Sequence, residues 1–344
     1  MYMPPNTILR LDPRDEYTHT PESAGNYNES MYFNAFDSVR GLGLWVRIGN
    51  RPNEGHAEMT CCVYLPDGRV GFMYNRPKIS GNAAMDAGGM KFEVVEPFKL
   101  LRVFYEGELL MMDDPHAMAD PSSAFKRYPK RQASIALEFE GVSPMHGGEI
   151  VNRDGSPIEL DPEHAVYRGH TEQNMAVRGR VTVDDKDYEI QGPGYRDKSW
   201  GPRHWQNFFW YKWLPVTFDR DFGVLLSIKG RKSTANAISG NVLKDGAYEP
   251  VIDGHIATVY DDQYYPVSLE ATIKTERGTY QLTGKVRTLV PLRHKHKSGD
   301  PSSYTRITES LVEYTCEGRT TLGMSEYLDV MIDGMPISLK EAAQ

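Results

Sequence analysis

From about residue 40 onward the chain is a succession of short apolar or alternating runs, each closed by turn-forming residues. GLGLWVRIGN (41–50), AEMTCCVYL (57–65), FKLLRVFY (98–105) and ASIALEFE (133–140) are rich in branched and aromatic residues, which suit a half-buried pleated surface. The second half continues in kind with VRGRVTV (177–183), FGVLLSIKG (222–230), ANAISGNVL (235–243), VSLEATIKT (267–275), GTYQLTGKV (278–286) and TRITESLVEYTCEG (305–318). The turn signals PDG (66–68), VDDKD (183–187), KDG (244–246) and TERG (275–278) recur at hairpin spacing. Helix signals are confined to SAFKRY (123–128) and SLKEAA (338–343). Residues 1–30, rich in Pro, Asp, Asn and Glu, read as an extended arm. The pattern predicts an all-β protein with few short helices.

Within that pattern lies a faint repeat. GLGLWVRIGNR (41–51) aligns with FGVLLSIKGR (222–231), placing Gly43 over Gly223, Ile48 over Ile228 and Arg51 over Arg231 at one constant offset. LPDG (65–68) then matches LKDG (243–246) at nearly the same offset. A duplicated β unit predicts two similar antiparallel domains, barrel-like or sandwich-like. The expected division is an arm over 1–30, a first β domain over 31–192 and a second over 193–344.

Composition narrows the partners. The 344 residues suit about two domains, and a net charge of -8 argues against a nucleic-acid surface. No apolar run is long enough to cross a bilayer as a helix, and the first residues lack the apolar stretch of a signal peptide. Cys61, Cys62 and Cys316 are odd in number, with two adjacent, which is a poor disulfide framework; a reducing cytoplasm is the expected setting. A homodimer is left open. DAGGMKF (86–92) lacks the rest of a phosphate loop and SPMHGG (143–148) lacks a nucleophile elbow. The His pair in HKH (294–296) is flanked by Arg293, Lys295 and Lys297, which repel a divalent cation. Neither a cofactor nor a metal is expected.

The chemistry concentrates near mid-chain, in QGPGYRDKSWGPRHW (191–205). On a strand, alternation separates Tyr195, Asp197 and Ser199 from Arg196 and Lys198. A phenol and a carboxyl group then share one face and two cations the other. Gly192 and Gly194 permit close backbone approach. NFFWYKW (207–213) follows, so all but one of the five tryptophans fall within 200–213. They are read as an aromatic wall that includes Trp200, Trp205, Trp210 and Trp213. Two environments for Asp197 make opposite demands: nearby arginines such as Arg203 lower its pKa, whereas an apolar cavity raises it and keeps its proton available.

GPGYRDKSWGPRHW, preceded by HTEQNMAVRGRVTV (170–183), resembles the AttH-like group that includes bacterial carotenoid 1,2-hydratases. A weaker likeness extends to RITESLVEYTCEGRTTLGMSEYL (306–328). The resemblance implies two lipocalin-like β-barrels in tandem with a hydrophobic ligand cavity. In the hydratases the catalytic acid is an Asp two residues after a Tyr, which matches Asp197 after Tyr195. Their upstream His and Trp, two residues apart, are matched by His170, but position 172 is Glu. The resemblance implies Asp197 as proton donor to an alkene or a tertiary or allylic hydroxyl. Tyr195 and the indoles would stabilise a carbocation, and His170, Glu172 or Gln173 would position water or remove a proton. The expected activity is cofactor-independent hydration, dehydration or isomerisation of a hydrophobic terpenoid-, steroid- or polyketide-like molecule. A non-catalytic lipid or isoprenoid carrier, or a cyclase or pericyclase using the same cavity, are the competing expectations.

Overall fold

The computed structural model of the chain describes residues 6–163, 165–203, 209–231, 234–295 and 303–342. Trp205 and the centre of the basic loop at His296 lie outside the described residues. The first eight strands to be named are β1 (Tyr27–Asp37), β2 (Leu42–Arg51), β3 (His56–Tyr64), β4 (Val70–Asn75), β5 (Leu100–Met112), β6 (Lys130–Gly141), β7 (Gly169–Val183) and β8 (Lys186–Pro202). Each pairs antiparallel with the next, and β8 pairs back with β1, so the ring closes. A second ring follows: β9 (Trp210–Thr217), β10 (Phe222–Arg231), β11 (Thr234–Lys244), β12 (Ala247–Tyr260), β13 (Pro266–Thr275), β14 (Thr279–Lys295), β15 (Ser303–Cys316) and β16 (Arg319–Ile332). It too is an antiparallel meander, closed by β9 pairing with β16. Closure removes the free edges that an open sheet leaves exposed.

The two rings run through the same strand order, and β2 and β10 correspond at the offset of the sequence repeat (42 to 222, 51 to 231). Helices α1 (Pro121–Arg127) and α2 (Ile337–Ala342) lie at the two helix signals. The expected 192/193 division falls inside β8, whose residues stay paired with β1 as far as Pro202. Within the arm, Thr7–Arg10 pairs with a short strand, His146–Asn152, which in turn pairs with β7.

Alternation distributes the core over three clusters. Phe33, Leu44, Val46, Ile48, Leu137, Phe139 and Met175 fill the first ring, and Leu214, Val224, Leu226, Ile273, Leu282 and Tyr314 fill the second. The opposite faces of β1–β5 are also apolar: Tyr32, Phe36, Trp45, Cys62, Tyr64 and Phe72 pack against Val290, Leu311, Leu322 and Met324 of the second ring. Strands β1 and β2 are therefore buried on both faces, and the rings share a third core between them. All three cysteines are free and buried.

Glycine is needed where β8 meets β1. A Cβ on Gly192 would stand 2.1 Å from the Phe36 carbonyl oxygen, and one on Gly194 would stand 2.4 Å from that of Asn34. Those contacts are with backbone, which cannot move aside cheaply. Gly192→Ala is expected to lower stability by about 1–3 kcal/mol, the usual cost of overpacking, read as a lower urea midpoint with an unchanged slope. An unchanged midpoint would mean that the β8–β1 pairing is looser than described.

Candidate functional site

Strands β7 and β8 form a long hairpin whose register follows from its turn. Asp184 and Asp185 both have positive φ, 53° and 61°, as the two central residues of a type I′ turn require. Counting back from that turn sets Asn174 against Tyr195, Glu172 against Asp197 and His170 against Ser199. Opposed residues share a face, so these six side chains line up on the side that looks toward the second ring.

On that face His170 Nε2 and Asp197 Oδ2 form a very short hydrogen bond. His170 Nδ1 lies 3.9 Å from Glu172 Oε2, and Trp213 Nε1 of β9 donates to Glu172 Oε1 at 2.9 Å. The Tyr167 ring stacks on His170, with centroids 5.0 Å apart. Tyr195 is fully buried with its ring edge-on to Trp213, and its hydroxyl has no hydrogen-bond partner among the described residues. Side-chain exposures of 17% for His170 and 20% for Asp197 show that this group is enclosed yet reachable.

Electrostatics assigns the protons. Burial pushes the Asp197 carboxyl up, but the charge and hydrogen bond of His170, helped by Arg203 and Arg47, outweigh it and leave the pKa below the ordinary value. Burial pushes His170 down, and Asp197 and Glu172 together reverse this and raise it. At Glu172 burial prevails and, with the Asp197 charge, raises the carboxyl despite His170 and the indole N–H. Of the two environments foreseen for Asp197, the lowering one holds, and a histidine rather than an arginine is its main agent. Asp197 is thus a carboxylate near neutral pH, and the proton expected on it is favoured on His170 instead. Arg203 itself is lowered to about 10 by burial and by Arg47; its Nε donates to the Val166 carbonyl at 3.2 Å.

Other expected residues lie elsewhere. Gln173 points to the opposite face, where it accepts from Arg196 Nε at 3.0 Å and donates to the Phe98 and Ser143 carbonyls. Trp200 shares the parity of Arg196 and Lys198. It stacks on His19 of the arm, with centroids 4.3 Å apart, under the Lys198 ammonium. Trp210 belongs to the core inside the second ring. Of the described tryptophans in the aromatic stretch, Trp213 alone meets the His170 group, because period two sends its neighbours to other faces. Trp45, distant in sequence, joins the inter-ring core beside Tyr32.

Several residues at the site had carried no role in the sequence. His146 is opposed to Glu172; burial and the His170 charge hold its imidazole down at about 4, so it is neutral. Glu309, Glu326 and Tyr211 come from the second ring. Their signal was the two-residue Glu317-Gly318 turn, which sets Glu309 against Glu326. Donor atoms of His170, Glu172 and Asp197 all lie within 4.8 Å of one another, a spacing a divalent cation could use. Asp197 already holds Nε2, however, and Arg203 and Arg47 bring positive charge to that carboxylate, which disfavours one. An open cleft of about 680 Å³ lies apart from this group, on a wall bearing Arg102, Glu138 and Arg178. Arg102 and Arg178 are bonded to Glu138, and Arg40, which also lines the cleft, to Asp37, leaving a satisfied surface cluster.

A family model described as "Domain of unknown function (DUF7064)" matches residues 12–331. No curated protein matches the sequence. Among solved structures, kievitone hydratase from Nectria haematococca is similar at 9% identity over 94% of this chain and 93% of its own, with a TM-score of 0.55. CghA with Sch210972 is similar at 10% identity over 96% and 99%, with a TM-score of 0.52. An AttH protein (NE1406) from Nitrosomonas europaea follows at 10% identity over 89% and 94%, with a TM-score of 0.50. At such identities the likeness to these three proteins is one of fold.

Proposed function

The chain belongs to the DUF7064 family, with an AttH-like fold, and on that premise we propose that it catalyses acid–base hydration or dehydration of a hydrophobic small molecule held between its two rings. One observation carries the reading: a charged His170–Asp197 pair, with Glu172 beside it, is enclosed among Tyr195, Tyr167 and Trp213. Structural ion pairs also perturb titration. This one leaves an imidazole edge, Nδ1, beyond hydrogen-bond reach of its nearest carboxyl group.

In the dehydrating direction the substrate hydroxyl approaches that edge. Nδ1–H of the imidazolium protonates the oxygen, and the C–O bond breaks with its electron pair leaving on water. The positive charge left on carbon is met by the π faces of Tyr195 and Trp213. Loss of a neighbouring C–H proton gives the alkene, and hydration is the reverse. Asp197 sets the tautomer and charge of His170, so the transferred proton comes from the pair rather than from the carboxyl alone. Arg203 tunes that carboxylate. The terpenoid-, steroid- or polyketide-like character of the substrate rests on the apolar inter-ring core. Nothing in this sequence of steps calls for a cofactor.

Native mass spectrometry of the purified protein tests the binding half. The expected result is a hydrophobic molecule, released by organic solvent, whose presence protects Trp213 from fluorescence quenching by acrylamide. Absence of any such ligand, together with no Trp213 response to a panel of apolar alcohols and alkenes, would remove the reading. A carrier would keep both binding and biological effect after Asp197→Asn. A shape-directed cyclase would suffer more from loss of Trp213 than of Asp197.

A further inference from the structure

The second ring brings its own acids to the same inter-ring space. Glu309 on β15 and Glu326 on β16 are register partners, so their side chains leave the sheet together on one side. Glu326 is also opposed to Trp213 on β9. The indole that donates to Glu172 therefore stands between Glu172 and Glu326. Tyr211, two residues before Trp213, donates its hydroxyl to Glu326 Oε1 in a very short bond. Glu309 is almost fully enclosed, whereas Glu326 keeps partial exposure, like His170 and Asp197.

Two neighbouring carboxyl groups away from water cannot both ionise. Burial raises Glu309, and Glu326 raises it further by charge and hydrogen bond. Burial also raises Glu326, while its hydrogen bonds from Glu309 and Tyr211 act the other way. The proton thus rests on Glu309, which donates to Glu326, and Glu326 is the carboxylate of the two. Facing them from the first ring are Arg47 on β2, which favours ionisation, and Asp197 on β8, which opposes it at Glu326. Tyr32, Cys62 and Tyr64 are held neutral by burial, and the Arg203 charge also acts on Tyr211.

Resting on the reading above, we propose that Glu326, backed by Glu309 and Tyr211, is the second proton-transfer residue of the inter-ring site and acts on the carbon side of the substrate. In dehydration the C–H electron pair becomes the second bond of the alkene and the proton passes to the Glu326 carboxylate. The hydroxyl oxygen leaves with the C–O pair and the His170 proton. Alcohol goes to alkene and water, and the proton on Glu326 returns to His170 through the released water before the next turnover. In hydration Glu326-H protonates the alkene carbon, and His170 takes the proton from the attacking water. The assignment selects an alcohol with a C–H bond next to its oxygen-bearing carbon, or the corresponding alkene.

The state of the pair can be tested without a substrate, by thermal unfolding of the full chain and of Glu309→Gln and Glu326→Gln from pH 5 to 8.5. A carboxyl whose folded pKa is raised contributes stability that is complete below the unfolded pKa and is lost as pH rises toward the folded one. Glutamine mimics the protonated form and is spared that loss. The folding equilibrium of Glu309→Gln is expected to gain on the parent by up to about tenfold per pH unit through this range. Glu326→Gln, which removes the same like-charge contact, is expected to show the same sign and serves if the first variant fails to fold. Curves parallel to the parent for both variants would overturn the proposal, since both groups would then be ionised throughout. Parallel curves alongside a ligand found by native mass spectrometry would remove Glu326 and leave the His170 site standing. A pH-dependent gain with no ligand would leave the acid pair and remove the activity.

Discussion

Asp197→Asn is expected to leave the protein folded and able to hold its apolar ligand while turnover falls about 10²- to 10⁴-fold, the usual weight of a positioned acid–base group. Asn keeps the shape and one hydrogen bond to His170 Nε2 but removes the charge that does most to hold the imidazolium. The pH profile supplies the diagnostic. His170 acts as the acid below its folded pKa, which Asp197 and Glu172 raise above the ordinary 6.5. Without Asp197 that pKa falls, and the alkaline limb of kcat/KM moves to lower pH. The stability window of the pair follows the same signs. The His170 contribution is present below its unfolded pKa and is lost as pH rises through the higher folded value. The Asp197 contribution is present above its unfolded pKa and is lost as pH falls through the lower folded value. The pair therefore stabilises the protein most between those limits, and the variant is expected to lose that mid-range advantage. Turnover and a pH profile unchanged in Asp197→Asn would show the pair to be structural.

How much of this was legible in the sequence depends on which parity and which turn are considered. Period-two reading separated Tyr195 and Asp197 from Arg196 and Lys198, and the structure places those sets on opposite faces. Carried one strand position further, the same parity puts Trp200 with Lys198, away from the site; residue density had suggested otherwise. An aromatic cluster in sequence is a wall in space only if its members alternate in step, and Trp200, Trp210 and Trp213 do not. Glu309 and Glu326 lie in the segment that weakly resembles the hydratases. Their pairing follows from a two-residue turn with positive φ at Glu317 and Gly318, a signal as readable as Asp184-Asp185. That the two faces meet could not be read at all, because no local pattern states which outer wall of one ring packs on the other. Proton positions were equally closed to inspection, since His170, Asp197 and Arg47 converge from three different strands and Arg203 from just beyond the end of β8.

Behind the site, on the reverse of β8, the largest stability effect is expected from Glu16→Gln. Arg196 is fully enclosed and spreads its guanidinium over the Glu16 carboxylate, with Nη2 2.7 Å from Oε2 and Nη1 in a shorter bond, while Nε donates to Gln173. Glu16 itself is fully buried and also accepts from the Phe98 amide at 2.8 Å. One strand position pair further, Lys198 meets Glu29 at 2.6 Å. Glu29 also takes bonds from His19, Tyr27 and Asn82 and is held at about 2, its burial outweighed by Lys198 and His19. The arm thereby closes the end of the first ring through ion pairs that water does not reach. Such pairs contribute little relative to a well-packed apolar substitute, but removing one partner leaves the other charged and enclosed, at a cost of about 3–5 kcal/mol. Glu16→Gln is expected to fall in that range by urea unfolding, whereas Glu16→Gln with Arg196→Met should recover most of the loss. The coupling in that double-mutant cycle separates an ion-pair cost from lost packing. Losses that simply add would show that the arm is held by its apolar contacts. Because Arg196 and Asp197 point to opposite faces, the double variant should retain ligand at the His170 site, and its loss there would mean that the arm shapes both sides of β8.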